Sequence, residues 1–530
     1  MSVDGVRAEP APVHYAEPAR VPPRRITDDV ALDVLNRRFG DFDTAAKGGD
    51  ADGKISRGDL QAVVEHSRDQ ELVDAASHLL DTPDLRDRLD TAAKGGERDG
   101  VISAKDLTSY TVREQPSALP TLATRQVDGS AQDPTVLHID AVPPEGASWS
   151  NASGPRAGIV SVYVDGEYVA DATIFAENPD GADVNLGVLG PGPHTIELRD
   201  SSALGTGAPE ARIDPASVRM DATNLDVDSS DPAVRDQALA ARYAPNLALA
   251  DNEQATNNTP LMTTAQVIHH DDGTTTIAYR ILYSNEDGGD GSDPAVLSNR
   301  WGRTTDDERV YEVTIDAGGE VIDFSGKNAS SGAGGAILHD DDRGVREMNN
   351  ALGPTGLPGI AISNEHNNVR WDDPGDRRNR GYSGVPVLVD AGPNTGRDAS
   401  NEPGPATNEV MRENPWTWRV ANAEMRREGA DGGGSKLDAV QPYDRLYLSM
   451  DDGTFDEGTE ITVHYANGQS ETVRLDDANG NSNSVSVVLS GEPGSIASIE
   501  VAGAEGTGVE AYTLNGDDTP RPVTDIAERD

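Results

Sequence analysis

Two stretches of this chain repeat almost word for word and carry oxygen-bearing side chains at the spacing of a cation loop. The first, Phe42 to Leu60, reads FDTAAKGGDADGKISRGDL, and the second, Leu89 to Leu107, reads LDTAAKGGERDGVISAKDL. They lie 47 positions apart and align without a gap. A calcium loop of the EF-hand type is about twelve residues long and offers oxygen from its positions 1, 3, 5, 7, 9 and 12, with a glycine at 6. With Gly53 as the turn glycine, Asp50 and Asp52 fall at the third and fifth positions. Lys54 offers its backbone carbonyl at the seventh, Ser56 stands at the ninth and Asp59 at the twelfth. In the second copy Gly100 makes the turn, and Glu97, Asp99, Val101 (carbonyl), Ser103 and Asp106 take the same places. Ile55 and Ile102 occupy the eighth positions, where paired loops join by a short β-bridge.

The front of each loop departs from that layout. Its first position is Gly48 or Gly95, without a side-chain oxygen, and the next carboxylates upstream are Asp43 and Asp90. The expectation is that TAAKGG loops out on its two glycines, which tolerate unusual backbone angles, and that Asp43 or Asp90 swings back to the ion. An Asp at the twelfth position has a shorter arm than Glu and favours a single oxygen contact. This weakens Ca²⁺ or admits Mg²⁺, and places the affinity near the roughly 10⁻⁴–10⁻³ M of extracellular modules. Arg98 puts a positive charge inside the second loop.

Helices must hold these loops. Thr27 can cap a helix whose apolar positions include Val30, Val34, Leu35 and Phe39, and Leu60, Val63 and Val64 restart a helical stripe after the loop. Leu72, Ala76, Leu79 and Leu80 begin the second unit, Pro83 interrupts it, and Leu85 and Leu89 lead into the second loop. Leu107, Tyr110 and Val112 follow. The FDTAAKGG-x-x-DGKIS-x-x-DL wording resembles the repeat of the HrpF/NolX proteins of plant-associated bacteria, linked to type III secretion. The resemblance covers residues 27–113. It implies an EF-hand-like fold and a bacterial, exported origin. That family's translocon role needs apolar membrane-inserting segments, which are lacking here, so it does not carry over.

Composition narrows the rest. The 530 residues call for several domains. The formal net charge is −48, from 92 acidic and 44 basic residues, and it would repel nucleic-acid phosphates, so nucleic acid is excluded as a partner. The same acidity suits cation binding, high salt or an extracellular setting. Lysine is confined to Lys47, Lys54, Lys94, Lys105, Lys327 and Lys436; the other basic residues are Arg. There is no Cys, which rules out disulfides, thiolate metal sites and cysteine catalysis. No apolar run approaches the about 20 residues that cross a membrane, so membrane insertion is not expected. The first 26 residues lack the apolar core of a signal peptide. The expectation is secretion by a route that does not read a standard signal, or a cytoplasmic protein.

The chain reads as multidomain and mainly β, with a small α-helical EF-hand-like pair followed by β-sandwich-type domains. Residues 1–26 read as a disordered N-terminus, 27–113 as the helix-loop-helix pair and 114–133 as a linker. Short alternating strands with Gly, Pro and Asp turns give a β-sandwich over 134–222 and a large β-rich domain with long loops over 223–435. A second sandwich spans 440–516, with Asp452-Gly453, Asn467-Gly468 and Asn479-Gly480 as turns, and 517–530 reads as a disordered tail. The opening RYAPNLAL and the DDERVYEVTIDAGGEV stretch resemble Vps62-like proteins, too thinly to transfer a site.

Two functions from different classes follow. The first is a non-enzymatic Ca²⁺-binding protein, with Mg²⁺ as the alternative ion, whose β modules bind a protein or glycan partner. The second is a secreted hydrolase or effector with its active site in residues 242–435. There His269, His270, His339 and His366 accompany Asp340 to Asp342, Glu365, Asp372, Asp373 and Asp376, and Asp306 with Glu308 offer an acid and base pair. His138 and His194 read as strand side chains. No HExxH, GxSxG or P-loop spacing is present. Convergence of those histidines in one cleft would favour the hydrolase.

Overall fold

The computed structural model describes residues 22–48, 52–92, 98–205, 211–249, 257–285, 293–328, 336–339, 359–362, 369–371, 380–389, 407–428, 436–476 and 482–529. The chain divides into two compact units, Met1–Arg88 with Asp99–Ala104 and Leu89–Arg98 with Lys105–Asp530. The division passes through the second repeat.

In the first unit, α1 (Asp28–Asp43) starts where the Thr27 hydroxyl accepts the Val30 N–H. It buries Ala31, Leu32, Val34, Leu35 and Phe42, while Val30 stays 47 % exposed. The inward stripe therefore begins one residue later than the sequence suggested. Then follow β1 (Lys54–Ser56), α2 (Arg57–His66) and α3 (Gln70–Asp81), which bring Leu60, Val63, Leu72, Ala76 and Leu79 into the interior. Next along the chain come α4 (Pro83–Asp90), whose last two residues belong to the second unit, β2 (Val101–Ser103) of the first, and α5 (Ala104–Glu114), which belongs to the second from Lys105 on. Strands β1 and β2 pair antiparallel with Ile55 opposite Ile102, so the two turn segments share one short ladder. Gly53 (φ +74°) and Gly100 (φ +84°) make the turns in left-handed backbone that a Cβ disfavours.

The second unit is mostly β. Its first strands are β3 (Thr121–Gly129), β4 (Thr135–Asp140), β5 (Gly158–Val164), β6 (Glu167–Ile174), β7 (Ala182–Asn185), β8 (Gly192–Asp200) and, after the short α6 (Ser202–Gly205), β9 (Arg219–Asn224). They form two sheets, β3-β8-β5-β6 and β7-β4-β9, over a shared core that includes Leu137, Ile139, Val160, Val162, Ile196 and Leu198. Strand β3 corrects the expected linker. Most of it is exposed and polar, so it lacks apolar alternation, and its antiparallel pairing with β8 holds it in place.

Helix α7 (Pro232–Tyr243) and β10 (Asn246–Ala248) lead to the hairpin of β11 (Pro260–His269) and β12 (Thr275–Tyr283). Helix α8 (Pro294–Trp301), β13 (Asp306–Ile315), β14 (Val321–Asn328), β15 (Ala336–His339), β16 (Gly359–Ile362), β17 (Val369–Trp371), β18 (Gly381–Tyr382) and β19 (Val387–Leu388) follow. Their sheets are ordered β15-β14-β13-β12-β11-β19 and β17-β16-β10-β18, around a core that includes Leu247, Tyr279, Tyr311 and Ile360.

Helices α9 (Thr407–Glu413), α10 (Trp416–Arg427) and α11 (Lys436–Val440) precede the last strands: β20 (Arg445–Thr454), β21 (Glu460–Tyr465), β22 (Ser470–Arg474), β23 (Ser484–Val488), β24 (Ile496–Ala502), β25 (Glu505–Leu514), β26 (Pro520–Val523) and β27 (Ile526–Arg529). Sheets β23-β20-β25-β26 and β22-β21-β24-β27 enclose a second two-sheet core. The tail is therefore not disordered: β26 and β27 are edge strands held by backbone pairing to β25 and β24. Asp452-Gly453 is not a turn either. It lies inside β20, where a Cβ on Gly453 would come within 1.9 Å of the Glu505 carbonyl oxygen.

Candidate cation centre

The first repeat brings four of its expected oxygen donors to one point, and a lysine of the same loop occupies that point. The Lys47 ammonium donates to Asp43 Oδ1 at 2.8 Å, Asp52 Oδ1 at 2.7 Å and the Lys54 carbonyl at 2.8 Å. Asp59 Oδ2 lies 3.5 Å from the same nitrogen. The last turn of α1 delivers Asp43, the Gly53 turn delivers Asp52 and the Lys54 carbonyl, and the first turn of α2 delivers Asp59. The ammonium is a compact tetrahedral cation with three donors, so three close oxygens satisfy it.

Asp43 does more than face the lysine. It also accepts the N–H groups of Asp52 at 3.2 Å and Gly53 at 2.8 Å, which tie the helix end to the turn across the intervening loop. Burial works against its charge, but the Lys47 ammonium and the two backbone donors outweigh it and hold the carboxyl at about 2. The Lys47 ammonium is opposed by burial, yet its bonds to Asp43 and Asp52 push its pKa above the usual lysine range.

Asp59, fully buried, is likewise opposed by burial. It is held below the usual carboxylate range by the Ser56 hydroxyl and N–H, the Ala46 N–H and the Lys47 charge. Ser56 donates from its hydroxyl to Asp59 Oδ2 at 2.6 Å and from its N–H at 2.8 Å, while its oxygen accepts the Asp59 N–H at 3.2 Å. The expected ninth-position ligand is thus spent on a reciprocal cap of α2 and does not face the lysine. Asp50 lies outside the described residues.

In the second repeat, Asp90, Ser103 and Asp106 are buried. Asp99 accepts the Val101 N–H at 3.2 Å, as Asp52 accepts that of Lys54 at 3.1 Å, and Val101 opens β2. Arg98 Nε stands 3.8 Å from Asp90 Oδ2. Glu97 and Lys94 lie outside the described residues. Among the described residues, no group of three or more His, Asp and Glu side chains is arranged to hold a metal ion. In the first loop the carboxylates are spaced around an ammonium.

The region expected to hide a hydrolytic site is described only in part. His269 engages Asp236 at 3.0 Å and Thr275 at 3.0 Å, while His270 turns to Thr276 at 2.8 Å. His269 thus joins its hairpin to α7, while His270 is occupied within the hairpin. The side chain of His339, and all of Asp340 to Asp342, Glu365, His366, Asp372, Asp373 and Asp376, lie outside the described residues. Of the two strand histidines, His138 pairs with Asp183 and His194 with Asp165. Trp418 is buried against Tyr447 with ring centroids 5.1 Å apart, a core role.

Reasoning from the sequence missed Lys47 as the residue at the centre. The signal was present: a lysine stands at the same place in both repeats, and four of the chain's six lysines fall within them.

No protein-family model and no curated protein matches the chain. Among solved structures, a chain described as "Biofilm associated protein - BSP domain" is 9 % identical and covers 77 % of this chain and 96 % of its own length. Its TM-score is 0.10, too low to carry a structural argument. Among the described residues, no helix is long and apolar enough to cross a membrane.

Proposed function

We propose that this chain is a divalent-cation-binding multidomain protein: an EF-hand-like pair of helix-loop-helix units takes Ca²⁺, or Mg²⁺, and the β-sandwich modules serve a protein or glycan partner. One observation carries this reading. Asp43, Asp52, Asp59 and the Lys54 carbonyl point at a single cation-sized position. The three carboxylates carry a formal charge of −3, of which the ammonium neutralises one, whereas a divalent ion in its place would neutralise two. The three ammonium contacts of 2.7–2.8 Å would have to contract to about 2.3–2.6 Å around Ca²⁺, and Asp59 Oδ2, 3.5 Å from the ammonium, would have to move inward by about 1 Å. Protein oxygens alone fall short of the about six to eight that Ca²⁺ takes. Asp50, third in the loop by sequence, and water would complete the shell. The resemblance of residues 27–113 to the HrpF/NolX repeat supports a bacterial, exported setting.

Calorimetric titration of the full chain with CaCl₂ and with MgCl₂ tests this. The expected result is saturable binding at about 10⁻⁴–10⁻³ M that Asp52→Ala removes from the first loop and Asp99→Ala from the second. Identical titrations for wild type and Asp52→Ala would remove the first loop from the reading.

A further inference from the structure

We infer that Lys436 and Asn285 join through a side-chain amide bond that this chain forms on itself, with Glu428 moving the proton and ammonia leaving. The inference concerns the larger unit and does not rest on the cation reading above.

One oxygen brings the three side chains together. Glu428 Oε2 accepts the Lys436 ammonium at 2.6 Å and the Asn285 side-chain Nδ2 at 3.2 Å. The amine that would attack and the amide nitrogen that would leave therefore meet at the same carboxylate oxygen. The Arg427 guanidinium stands beside the other oxygen, Oε1, 3.9 Å away. The backbone fixes the approach. Glu428 follows the last residue of α10 and Lys436 opens α11, and the Lys436 N–H donates to the Glu428 carbonyl at 3.0 Å. Asn285 lies just past β12, where the Ser284 N–H donates to the Thr259 carbonyl at 2.9 Å.

Burial and residue type both suit this chemistry. Asn285 is fully buried, while the side chains of Glu428 and Lys436 are 15 % and 36 % exposed. Water is thus kept from the carboxamide carbon, and the open side lies at the amine, where ammonia can depart. A guanidinium stays protonated and makes no nucleophile, whereas a lysine amine attacks once a neighbouring base takes its proton. This chain carries nearly all its positive charge on Arg and keeps six lysines, one of them here. It has no cysteine, so no disulfide can tie these segments.

The step balances without an added reactant. Glu428 Oε2 takes a proton from the Lys436 ammonium. The neutral Nζ attacks Asn285 Cγ, a proton passes from Nζ to Nδ2 through Glu428, and the Cγ–Nδ2 bond breaks. Ammonia departs as ammonium with the proton that Glu428 first took. One Nζ–Cγ bond replaces one Cγ–Nδ2 bond, and nothing is oxidised or reduced. The product ties the exit of β12 to the start of α11.

Mass spectrometry of the full chain tests this. Intact wild type is expected to be lighter than its sequence by one ammonia, and its protease digest to contain a branched peptide joining Asn285 to Lys436. A digest in which the two residues occur only in separate linear peptides would overturn the inference, and that measurement needs no variant. Cyclisation at an Asn-Gly pair also releases ammonia but yields no branched peptide, so the digest separates the two. Glu428→Gln keeps the side chain's size and removes the base. It is expected to slow cross-linking by roughly 100-fold, so that freshly made protein with a wild-type circular dichroism spectrum keeps its full mass. Folded Glu428→Gln protein cross-linked as completely as wild type would overturn the role given to Glu428. Loss of one ammonia by folded Lys436→Arg as well would place the reaction elsewhere and overturn the assignment.

Discussion

Asp43 shows how much one carboxylate can organise. It closes the last turn of α1, receives the Lys47 ammonium and takes two N–H groups of the turn that follows. Its carboxyl is held at about 2 against an ordinary value of 3.8. A depressed folded-state value contributes stability that is complete above the ordinary value and disappears as the pH falls through the depressed one. The melting-temperature difference between wild type and Asp43→Asn, followed by far-UV circular dichroism, should therefore be constant above pH 4 and shrink between pH 4 and 2. A difference that stays constant down to pH 2 would contradict this assignment. The position of Asp43 was legible from the sequence, because the loop lacks a carboxylate at its first position and Asp43 is the next one upstream. The role of Lys47 was not. Ligand patterns are read from oxygen-bearing residues, and a cationic side chain folding back into their midst leaves no mark in such a pattern.

At the scale of elements, the loops are set by their exits. Ser56 and Asp59 cap α2 reciprocally, so Ser56→Ala should cost about 1 kcal/mol, measured as a lowered midpoint for unfolding of the helical module in urea. No loss would show that the loop rather than the cap positions Asp59. The Ile55–Ile102 bridge was readable because turn glycine and eighth-position isoleucine fall at fixed offsets, whereas Ser56, read as a ligand, caps α2 instead. Strands β5, β8, β12, β13 and β21 were readable because apolar residues alternate along them. Strands β3, β26 and β27 were hidden for the opposite reason: few of their side chains face a core, and partner strands hold them by main-chain bonds. Gly453 misled because Asp-Gly usually marks a turn. Here the glycine is needed for the close approach of β25 to β20.

Across the larger unit, buried polar junctions tie segments that lie far apart in sequence. Arg380, 1 % exposed, donates to Asp171 on β6 and, at 2.6 Å, to Ser201, while Ser161 donates to Asp171 at 2.7 Å. Glu424 on α10, fully buried, accepts from the Trp149 indole at 2.8 Å and from the Asn258 N–H at 2.8 Å. Burial raises its pKa, and the Arg427 charge and these donors oppose that rise. Breaking one such pair strands a charge in the interior. Arg380→Met should destabilise by about 3–5 kcal/mol, seen by calorimetry as an early transition, and adding Asp171→Leu should recover much of the loss. Similar unfolding of the single and double variants would show that the charge of Asp171 is not what the arginine compensates. These junctions could not be read in advance. Arg380 and Asp171 stand 209 residues apart and Trp149 and Glu424 275 apart, with no pattern linking them.

The most direct measurement of the central claim uses the scarcity of lysine. With only six lysines in the chain, a side-chain ¹⁵N spectrum of lysine-labelled protein resolves their ammonium groups, and Lys47→Gln assigns the one in question. Without divalent ions, the Lys47 ammonium protons should exchange with water far more slowly than those of Lys54, whose side chain is exposed. A Lys47 ammonium that exchanges as freely as that of Lys54 would contradict a cation held at the focus of Asp43, Asp52, Asp59 and the Lys54 carbonyl.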